Sequence, residues 1–187
     1  LEQQTADFVP VVIRPATVCG YSRRLRLDLS VNILTNLAVN KGEITVFGGS
    51  QMRPNIHIQD ITNLYCQLLD EPDHRIAGQT FNAGYQNRTI ADIAQIVKGI
   101  VSTRVPGREN MTIITTPSDD IRSYHISSEK IKKHLGFVPK YTLEDAVNEL
   151  VDAFLAGRIP NSLTDDIYYN IRTMRRIEPQ LALGMTV

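Results

Sequence analysis

The stretch that most restricts the fold is a run of β-branched residues near the amino end of the chain. It comprises Val9, Val11, Val12, Ile13 and Val18, with few polar residues between them. Such a run is typical of a strand that is buried on both faces of a parallel sheet. Because proline has no N–H for a sheet ladder, we predict that this strand ends or bulges near Arg14-Pro15. Residues 16–20 would then leave the sheet at the carboxyl end of the strand, where open α/β sheets bind ligands.

In the rest of the chain, segments with apolar residues at helical spacing alternate with short continuous apolar runs. Apolar residues at helical spacing predict helices at 29–40, 61–69, 90–101, 129–135 and 143–156, whereas short apolar runs predict strands at 43–47, 80–84 and 111–115. Residues 1–6 resemble the end of a helix, and 124–126 a brief extended piece. The mixed, polar segment 158–187 is expected to pack loosely or against a neighbour. Helices that alternate with buried strands predict the α/β class.

Local signals mark several helix ends. Thr89 and Thr142 stand before apolar periodic segments and predict N-caps, and the acid three residues after Thr142 predicts a capping box. Asp60 is predicted to cap the helix that begins near residue 61. Gly42 and Gly136 follow periodic segments and predict helix stops.

Charge and composition exclude several classes of protein. The 187 residues carry 20 basic and 20 acidic side chains, so no basic stripe favours a nucleic-acid partner. No apolar run approaches the ~20 residues that span a bilayer, and no basic leader precedes an apolar segment, so we expect no membrane partner. Cys19 and Cys66 form neither a disulfide pattern nor a metal pattern. They indicate reduced thiols, and we therefore predict a cytoplasmic protein.

The motif with the clearest chemical meaning is the segment 48–60, in which a glycine pair precedes one arginine. Gly48-Gly49 follows the predicted strand 43–47, and Arg53 comes shortly after. A guanidinium held behind a turn offers a rigid fork of donors that matches phosphate oxygens, which suits a diphosphate. The alternative is a strand, a turn and a second strand with an arginine on the surface. The sequence contains no Gly-x-Gly-x-x-Gly loop for a dinucleotide.

Two other sets of polar residues leave alternatives open. The segment 21–29 holds Arg23, Arg24 and Arg26. Charged segments of this kind are usually solvated loops, and the sharper alternative is a basic loop beside an anionic ligand. The histidines have no metal-ligand spacing, so we predict no metal site and interpret each of them as a surface or structural residue. They are His57, His74, His125 and His134.

Six segments of the chain follow one another in a characteristic order. They are 11–20 with Arg14-Pro15-Ala16-Thr17-Val18, 42–49, 51–60 with Arg53-Pro54-Asn55-Ile56-His57, 81–84, 130–139 and 143–146. This succession closely resembles the carboxyl-terminal half of the extended short-chain dehydrogenase/reductase family, the NAD-dependent nucleotide-sugar epimerases and dehydratases. The resemblance implies an α/β fold, made of the carboxyl-terminal part of a Rossmann-type sheet plus the small α+β nucleotide-sugar-binding subdomain.

By the layout of that family, the chain divides into three parts. Residues 1–28 would be the last part of the dinucleotide-binding domain, 29–157 the substrate-binding subdomain with interleaved Rossmann elements, and 158–187 a polar tail. The family's catalytic Tyr-x-x-x-Lys does not occur in the sequence and is expected just before Leu1. We therefore expect no catalytic residue here, and NAD or NADP as the cofactor of an intact parent that is a homodimer. The alternative is a non-catalytic remnant or regulatory module that binds sugar nucleotides.

The resemblance assigns one group of residues to the cofactor and sugar. Pro15 matches the position beside the nicotinamide, and Val18 is assigned to the cofactor with it. Thr17 matches the position that faces the sugar diphosphate, and Asn32 lies where the start of a helix meets the phosphates. Cys19 stands where relatives mostly have tyrosine.

A second group is assigned to the nucleotide. Val46 and Phe47 match the strand whose backbone holds the base. Arg53 matches the arginine that grips the diphosphate, and Arg122 the late arginine that contacts phosphate or ribose. The resemblance thus implies a substrate-binding portion of an NAD-dependent epimerase or 4,6-dehydratase, which is inactive by itself.

Overall fold

The structure, a computed structural model, describes residues 4–5, 7–119 and 122–184, with side chains as far as Ile177. The strands are β1 (Val12–Pro15), β2 (Thr17–Cys19), β3 (Glu43–Phe47), β4 (Met52–His57), β5 (Thr80–Ala83), β6 (Gln86–Thr89) and β7 (Thr112–Thr116). The helices are α1 (Ser30–Lys41), α2 (Ile58–Asp70), α3 (Asp73–Ile76), α4 (Ile90–Arg104), α5 (Glu129–Leu135), α6 (Leu143–Leu155) and α7 (Asn170–Gly184). The helix end predicted at 1–6 lies mostly outside the described residues.

The β-branched run is shared between two sheets. The predicted end of the first strand at Pro15 is confirmed, and β1 pairs in parallel with β5. The chain then leaves this sheet, as predicted, but residues 17–19 enter a second one, where β2 pairs in parallel with β4. The N–H of Ala16, which follows the proline, donates to the carbonyl oxygen of Ala83 at 2.7 Å. The carboxyl end of β1 is therefore followed, after the single residue Ala16, by the first strand of the second sheet.

The remaining pairings complete an α/β fold with mostly parallel strands. β4 also pairs with β6, in antiparallel register with Met52 opposite Thr89, and β3 pairs in parallel with β7. The α/β class is thus confirmed. β6 was not predicted, because its residues are polar, and β4 was predicted only within the alternative interpretation of segment 48–60. Residues 124–126, expected to be extended, form no regular strand. Within the described part of the chain, every helix is too short or too polar to cross a bilayer.

Most helix ends follow the predicted signals. Thr89 and Thr142 each form a capping box, with Asp92 and Asp145 respectively. The helices α1 and α5 end at glycines in the left-handed region, Gly42 with φ 72° and Gly136 with φ 70°.

The cap predicted at Asp60 is wrong. The helix α2 begins earlier, at Ile58, and its N-cap is His57, whose Nδ1 accepts the N–H of Gln59 at 3.0 Å. Asp60 is instead buried, 1% exposed, and accepts the N–H groups of Lys140 and Tyr141, each at 3.0 Å. Its carboxylate therefore fixes the loop before α6 to α2, because two backbone donors depend on it.

Three hydrophobic clusters hold the elements together. The first packs α1, α4 and α6 against β3, and the second packs α2 and α5 around β1 and β5. The third includes the first part of residues 158–187, the segment that was expected to pack loosely or against a neighbour, and this part packs on the chain's own core. Here Ile159 is buried against Leu25, Leu27 and α6, and Tyr168 packs on the same cluster. The segment after α6 therefore covers the loop that precedes α1.

Candidate functional site

Two clefts lie on either side of the start of α1. The first has a volume of about 300 Å³ and an apolar wall, made by one face of α1 and the end of β3 with Ile33, Leu34, Leu37 and Phe47. The second has a volume of about 420 Å³ and lies over the end of β1 and over β2. Volumes of this size are typical of small-molecule sites.

Arg53 closes the polar end of the first cleft. It lies in β4, and its guanidinium lines the cleft beside Gln51 and Ser118. Its Nη1 donates to the carbonyl oxygen of Met52 at 3.0 Å and to that of Arg122, and the guanidinium stands 5.4 Å from the ring centre of Tyr124. Arg53, the arginine that the motif predicted, therefore lies at one end of a cleft. Its position in a strand behind the glycine turn does not direct it away from this cleft.

The start of α1 faces the same cleft without a side-chain cap. Leu29 occupies the N-cap position and makes no capping hydrogen bond from its side chain. Ser30 lines the cleft, and its hydroxyl oxygen is buried without a hydrogen-bond partner among the described residues. An uncapped helix start carries partial positive charge, and an orphan hydroxyl adds a donor, so this end of the cleft favours an anion.

The glycine turn itself does not form a phosphate cradle. The N–H of Gly48 donates to the carbonyl oxygen of Thr116 at 2.8 Å, and the N–H of Gly49 donates to Oε1 of Gln51 at 2.6 Å. Both glycines have positive φ, 78° and 110°, and a Cβ on Gly48 would lie 2.3 Å from Nε2 of Gln51. These two N–H groups are therefore already hydrogen-bonded within the protein and are not available to a phosphate. The turn instead sets the direction of β4 and so the position of Arg53.

The second cleft collects four of the residues that the resemblance assigns, namely Pro15, Thr17, Val18 and Asn32. Asn32 is 2% exposed, and both ends of its amide are used on the loop at residues 20–28, which we call the arginine loop. Its Oδ1 accepts the N–H of Gly20 at 3.2 Å, and its Nδ2 donates to the carbonyl oxygen of Arg26 at 2.8 Å. Asn32 thus ties the arginine loop to α1, whereas its predicted phosphate contact stays a prediction.

A buried histidine and a glutamate hold the start of the arginine loop. Gly20 has φ 101°, and a Cβ there would lie 2.9 Å from both His57 and Glu149. Because Nδ1 of His57 accepts a backbone N–H, the neutral ring carries its proton on Nε2, which lies 3.2 Å from Oε2 of Glu149. The same oxygen accepts the N–H of Tyr21 at 3.0 Å. His57 is accordingly a structural residue, as the sequence analysis indicated.

The structure also shows which assigned residues lie away from the cleft surfaces. Val46 is 1% exposed and its side chain belongs to the core, although Phe47 beside it lines the first cleft. Arg122 is exposed and meets Arg53 through its backbone carbonyl. Cys19 is buried, and burial raises the pKa of its thiol to about 12. Their assigned roles stay predictions.

One residue of interest, Ser30, was missed at the sequence level, and a second, Arg24, was named only as part of a charged segment. Ser30 is the first residue of a periodic segment, and serine there is a known signal for a helix start, but its orphan hydroxyl depends on the packing around it. Arg24 belongs to the segment interpreted as a loop with two alternative functions, and it lines the second cleft.

Comparison with known proteins gives consistent matches. Residues 2–84 match the family model described as the NAD dependent epimerase/dehydratase family. A dTDP-glucose 4,6-dehydratase from Shigella flexneri is 26% identical over 120 residues, which cover 61% of this chain and 32% of that protein. UDP-glucose 4-epimerase from Thermotoga maritima, solved with UDP-glucose, has a TM-score of 0.64 at 22% identity, over 79% of this chain and 46% of that one.

A second solved structure has a similar likeness. UDP-glucuronic acid 4-epimerase from Bacillus cereus, in complex with UDP-glucuronic acid and NAD, has a TM-score of 0.63 at 22% identity, over 78% of this chain and 45% of that one. The match covers 32% of the curated relative's length and somewhat under half of each solved chain. The solved structures bear on the fold, whereas the family model and the curated relative bear on the sequence. Together they support the resemblance found in the motifs: over residues 2–84 and about three fifths of its length, the chain is similar to the NAD-dependent epimerases and dehydratases of the extended short-chain dehydrogenase/reductase family.

Proposed function

We propose that this chain supplies the sugar-nucleotide-binding portion of an NAD-dependent nucleotide-sugar epimerase or 4,6-dehydratase. The observation that carries the proposal is the first cleft, an apolar slot with Arg53 and the uncapped start of α1 at its polar end. A sugar nucleotide has the matching shape, since it joins a flat base to a doubly charged diphosphate.

The base would occupy the apolar part of this cleft. Leu34 and Leu37 come from one face of α1, and Phe47 stands opposite at the end of β3. Phe47 is 63% exposed, so a base stacked against it would cover apolar surface that is otherwise in water. The backbone of β3 beside Val46 and Phe47 would provide the hydrogen bonds to the base, as the resemblance implies.

The diphosphate would lie at the polar end. A guanidinium is the side chain best suited to paired phosphate oxygens, and Arg53 is fixed by its bond to Met52. The N–H groups at the start of α1 and the hydroxyl of Ser30 would complete the anion site. The resemblance also assigns Arg122 to phosphate or ribose, and its backbone carbonyl oxygen accepts a hydrogen bond from Nη1 of Arg53.

The sugar and the nicotinamide would meet in the second cleft. Pro15 and Val18 give an apolar wall there that fits a flat ring, and Thr17 adds a hydroxyl for the substrate side. NAD or NADP, when bound, supplies hydride transfer, whereas the residues of this chain orient the substrate and exclude water from it. The sequence has no Tyr-x-x-x-Lys, so we assign no proton transfer to this chain.

The proposal is tested by titration calorimetry of the chain with UDP-glucose, dTDP-glucose, GDP-mannose and CDP-glucose. We expect saturable binding of at least one of them. Arg53→Gln should weaken that binding by about tenfold or more, the effect of losing a charge-assisted contact. Ser30→Ala should weaken it several-fold without lowering the free energy of unfolding, because the hydroxyl has no partner to lose.

Arg88→Gln is the matched control. Arg88 lies directly opposite Arg53 in the β4–β6 pair and is exposed, but it does not line the cleft. Its replacement should leave the affinity unchanged. Absence of binding for all four sugar nucleotides, or equal losses for Arg53→Gln and Arg88→Gln, would falsify the proposal.

A further inference from the structure

We propose that the second cleft selects a sugar that carries a carboxylate, and that Arg24 is the residue that binds this carboxylate. The inference rests on the proposed function and adds the class of sugar to it. Its evidence lies in the charge and the fixation of the arginine loop.

The charge around the second cleft comes from two arginines. Within the described residues, the charged side chains of its lining are two guanidinium groups, Arg24 and Arg26. Arg26 pairs with both oxygens of Asp28, Nε to Oδ1 at 2.9 Å and the second nitrogen to Oδ2 at 3.2 Å. That carboxylate balances the charge of Arg26, and the same contact lowers the pKa of Asp28 despite its partial burial. Arg26 therefore adds little net charge to the cleft.

Arg24 is held in a different way. Its Nη1 donates to the carbonyl oxygen of Ile167 at 3.2 Å, and its Nη2 donates to Oδ1 of Asn170 at 3.0 Å. Both acceptors are neutral, so these bonds fix the guanidinium without balancing its charge. A positive group fixed in this way at the edge of a cleft favours an anion in the cleft.

The arginine loop is held at its start and through its second half. Leu25 and Leu27 are 4% and 0% exposed, and the N–H of Leu27 donates to the carbonyl oxygen of Tyr168 at 2.8 Å. At its start the loop is bound by Asn32 and Glu149. Little conformational freedom is left for a ligand to remove, and such preorganisation makes a single charged contact effective.

The diphosphate does not account for this charge. Its anion site, as proposed above, lies in the first cleft with Arg53, whereas Arg24 lies between the second cleft and a smaller cavity of about 110 Å³ beside Ile167. The other polar groups near Pro15 in the second cleft include Thr17 and Ser22, which are neutral. The second positive site therefore lies where the sugar would be, and a sugar carboxylate is the anion that matches a guanidinium fork.

The test compares a hexose with its hexuronate on the same nucleotide. Calorimetry uses UDP-glucose and UDP-glucuronate, or the corresponding dTDP pair if the screen above retains thymidine. We expect the native chain to bind the hexuronate about tenfold or more tightly, and Arg24→Gln to abolish that preference while it leaves hexose affinity unchanged. Arg23→Gln, an equal loss of charge one residue away and outside the cleft lining, should keep the preference.

The outcomes separate this inference from the proposed function. If hexose and hexuronate bind equally to the native chain, the carboxylate inference is overturned while the proposed function stands. If Arg24→Gln weakens both ligands alike, Arg24 contacts the diphosphate and the inference is again overturned. If Arg23→Gln removes the preference as well, the effect is one of general charge and Arg24 is not its site. Binding of no sugar nucleotide overturns both proposals.

Discussion

Single residues of the same type have very different chemistry in this chain, and its two thiols show this most directly. Cys19 is 1% exposed, and its Sγ lies 3.4 Å from the carbonyl oxygen of Ile56. Burial raises the pKa of Cys19 to about 12, and the nearby carboxylates of Glu149 and Asp60 act in the same direction. Cys66, on α2, is exposed.

We expect iodoacetamide at pH 8 to modify Cys66 and to leave Cys19 unmodified in the native chain, because the thiolate is the reactive form and Cys19 is neutral at that pH. Peptide mass spectrometry would measure both sites, with and without denaturant. In Cys66→Ser, native labelling should disappear. Equal labelling rates of Cys19 in the native and the unfolded chain would contradict this account.

Arg53 could be proposed from the sequence because its local motif, an arginine shortly after a glycine turn, is distinctive. The strand β4 that carries it appeared in the sequence analysis only as the second strand of the alternative interpretation. Ser30 could not be proposed in this way, and Arg24 could not be distinguished from Arg23 and Arg26, because the environment of each depends on distant parts of the chain. The hydroxyl of Ser30 is without a partner only once the elements around it are assembled, and Arg24 is fixed by Ile167 and Asn170.

At the scale of elements, two glycines differ in whether the backbone conformation and the surrounding space require glycine at their position. Gly20, at the end of β2, has φ 101° and is enclosed by His57 and Glu149. Gly99, within α4, is exposed, and a Cβ there would meet no atom within 4 Å. The first position requires glycine, whereas the second only tolerates it.

Substitution of these glycines by alanine should therefore change stability in opposite directions. We expect Gly20→Ala to lower the free energy of unfolding by about 1–3 kcal/mol, since positive φ is strained for any residue with a Cβ. Gly99→Ala should raise it by about 0.5–1 kcal/mol, because alanine loses less entropy in a helix. Denaturant titration measures both, and losses of similar size for the two variants would refute the argument.

Helices and strands differed in how well the sequence predicted them. The segments of α1, α4 and α6 have long apolar faces and clear ends, and their boundaries were predicted to within a few residues. β6 was missed, since its polar residues become a strand only through pairing with β4. The start of α2 was misplaced for a related reason, namely a contact between distant parts of the chain. The capping group is His57, whereas Asp60 accepts hydrogen bonds from the loop before α6.

At the scale of the whole molecule, the segment after α6 packs against the arginine loop and covers its two leucines. Ile159 is 5% exposed and packs in the cluster that contains Leu25 and Leu27. Ile171, in the same part of the chain, is 67% exposed. The polar composition of residues 158–187 concealed these contacts, because a few buried side chains are enough to seat a largely polar segment.

Ile159→Ala should lower the free energy of unfolding by about 2–5 kcal/mol, the usual cost of truncating a buried isoleucine. Ile171→Ala should change it by less than about 0.5 kcal/mol, as is usual at exposed positions. Thermal unfolding followed by circular dichroism would compare the two. A small effect of Ile159→Ala would mean that this segment is not part of the folded unit.

The passage of one chain segment from the β1–β5 sheet to the β2–β4–β6 sheet at Ala16 links the two mechanically. Neither sheet can separate from its helices without displacing the segment 12–19, because residues 12–15 belong to the first sheet and residues 17–19 to the second. Amide protons of β5 and of β4 should therefore exchange with solvent in one cooperative opening. A ligand in the second cleft would then slow hydrogen exchange at Phe81 of β5, because Pro15 of β1 and Thr17 of β2 both line that cleft.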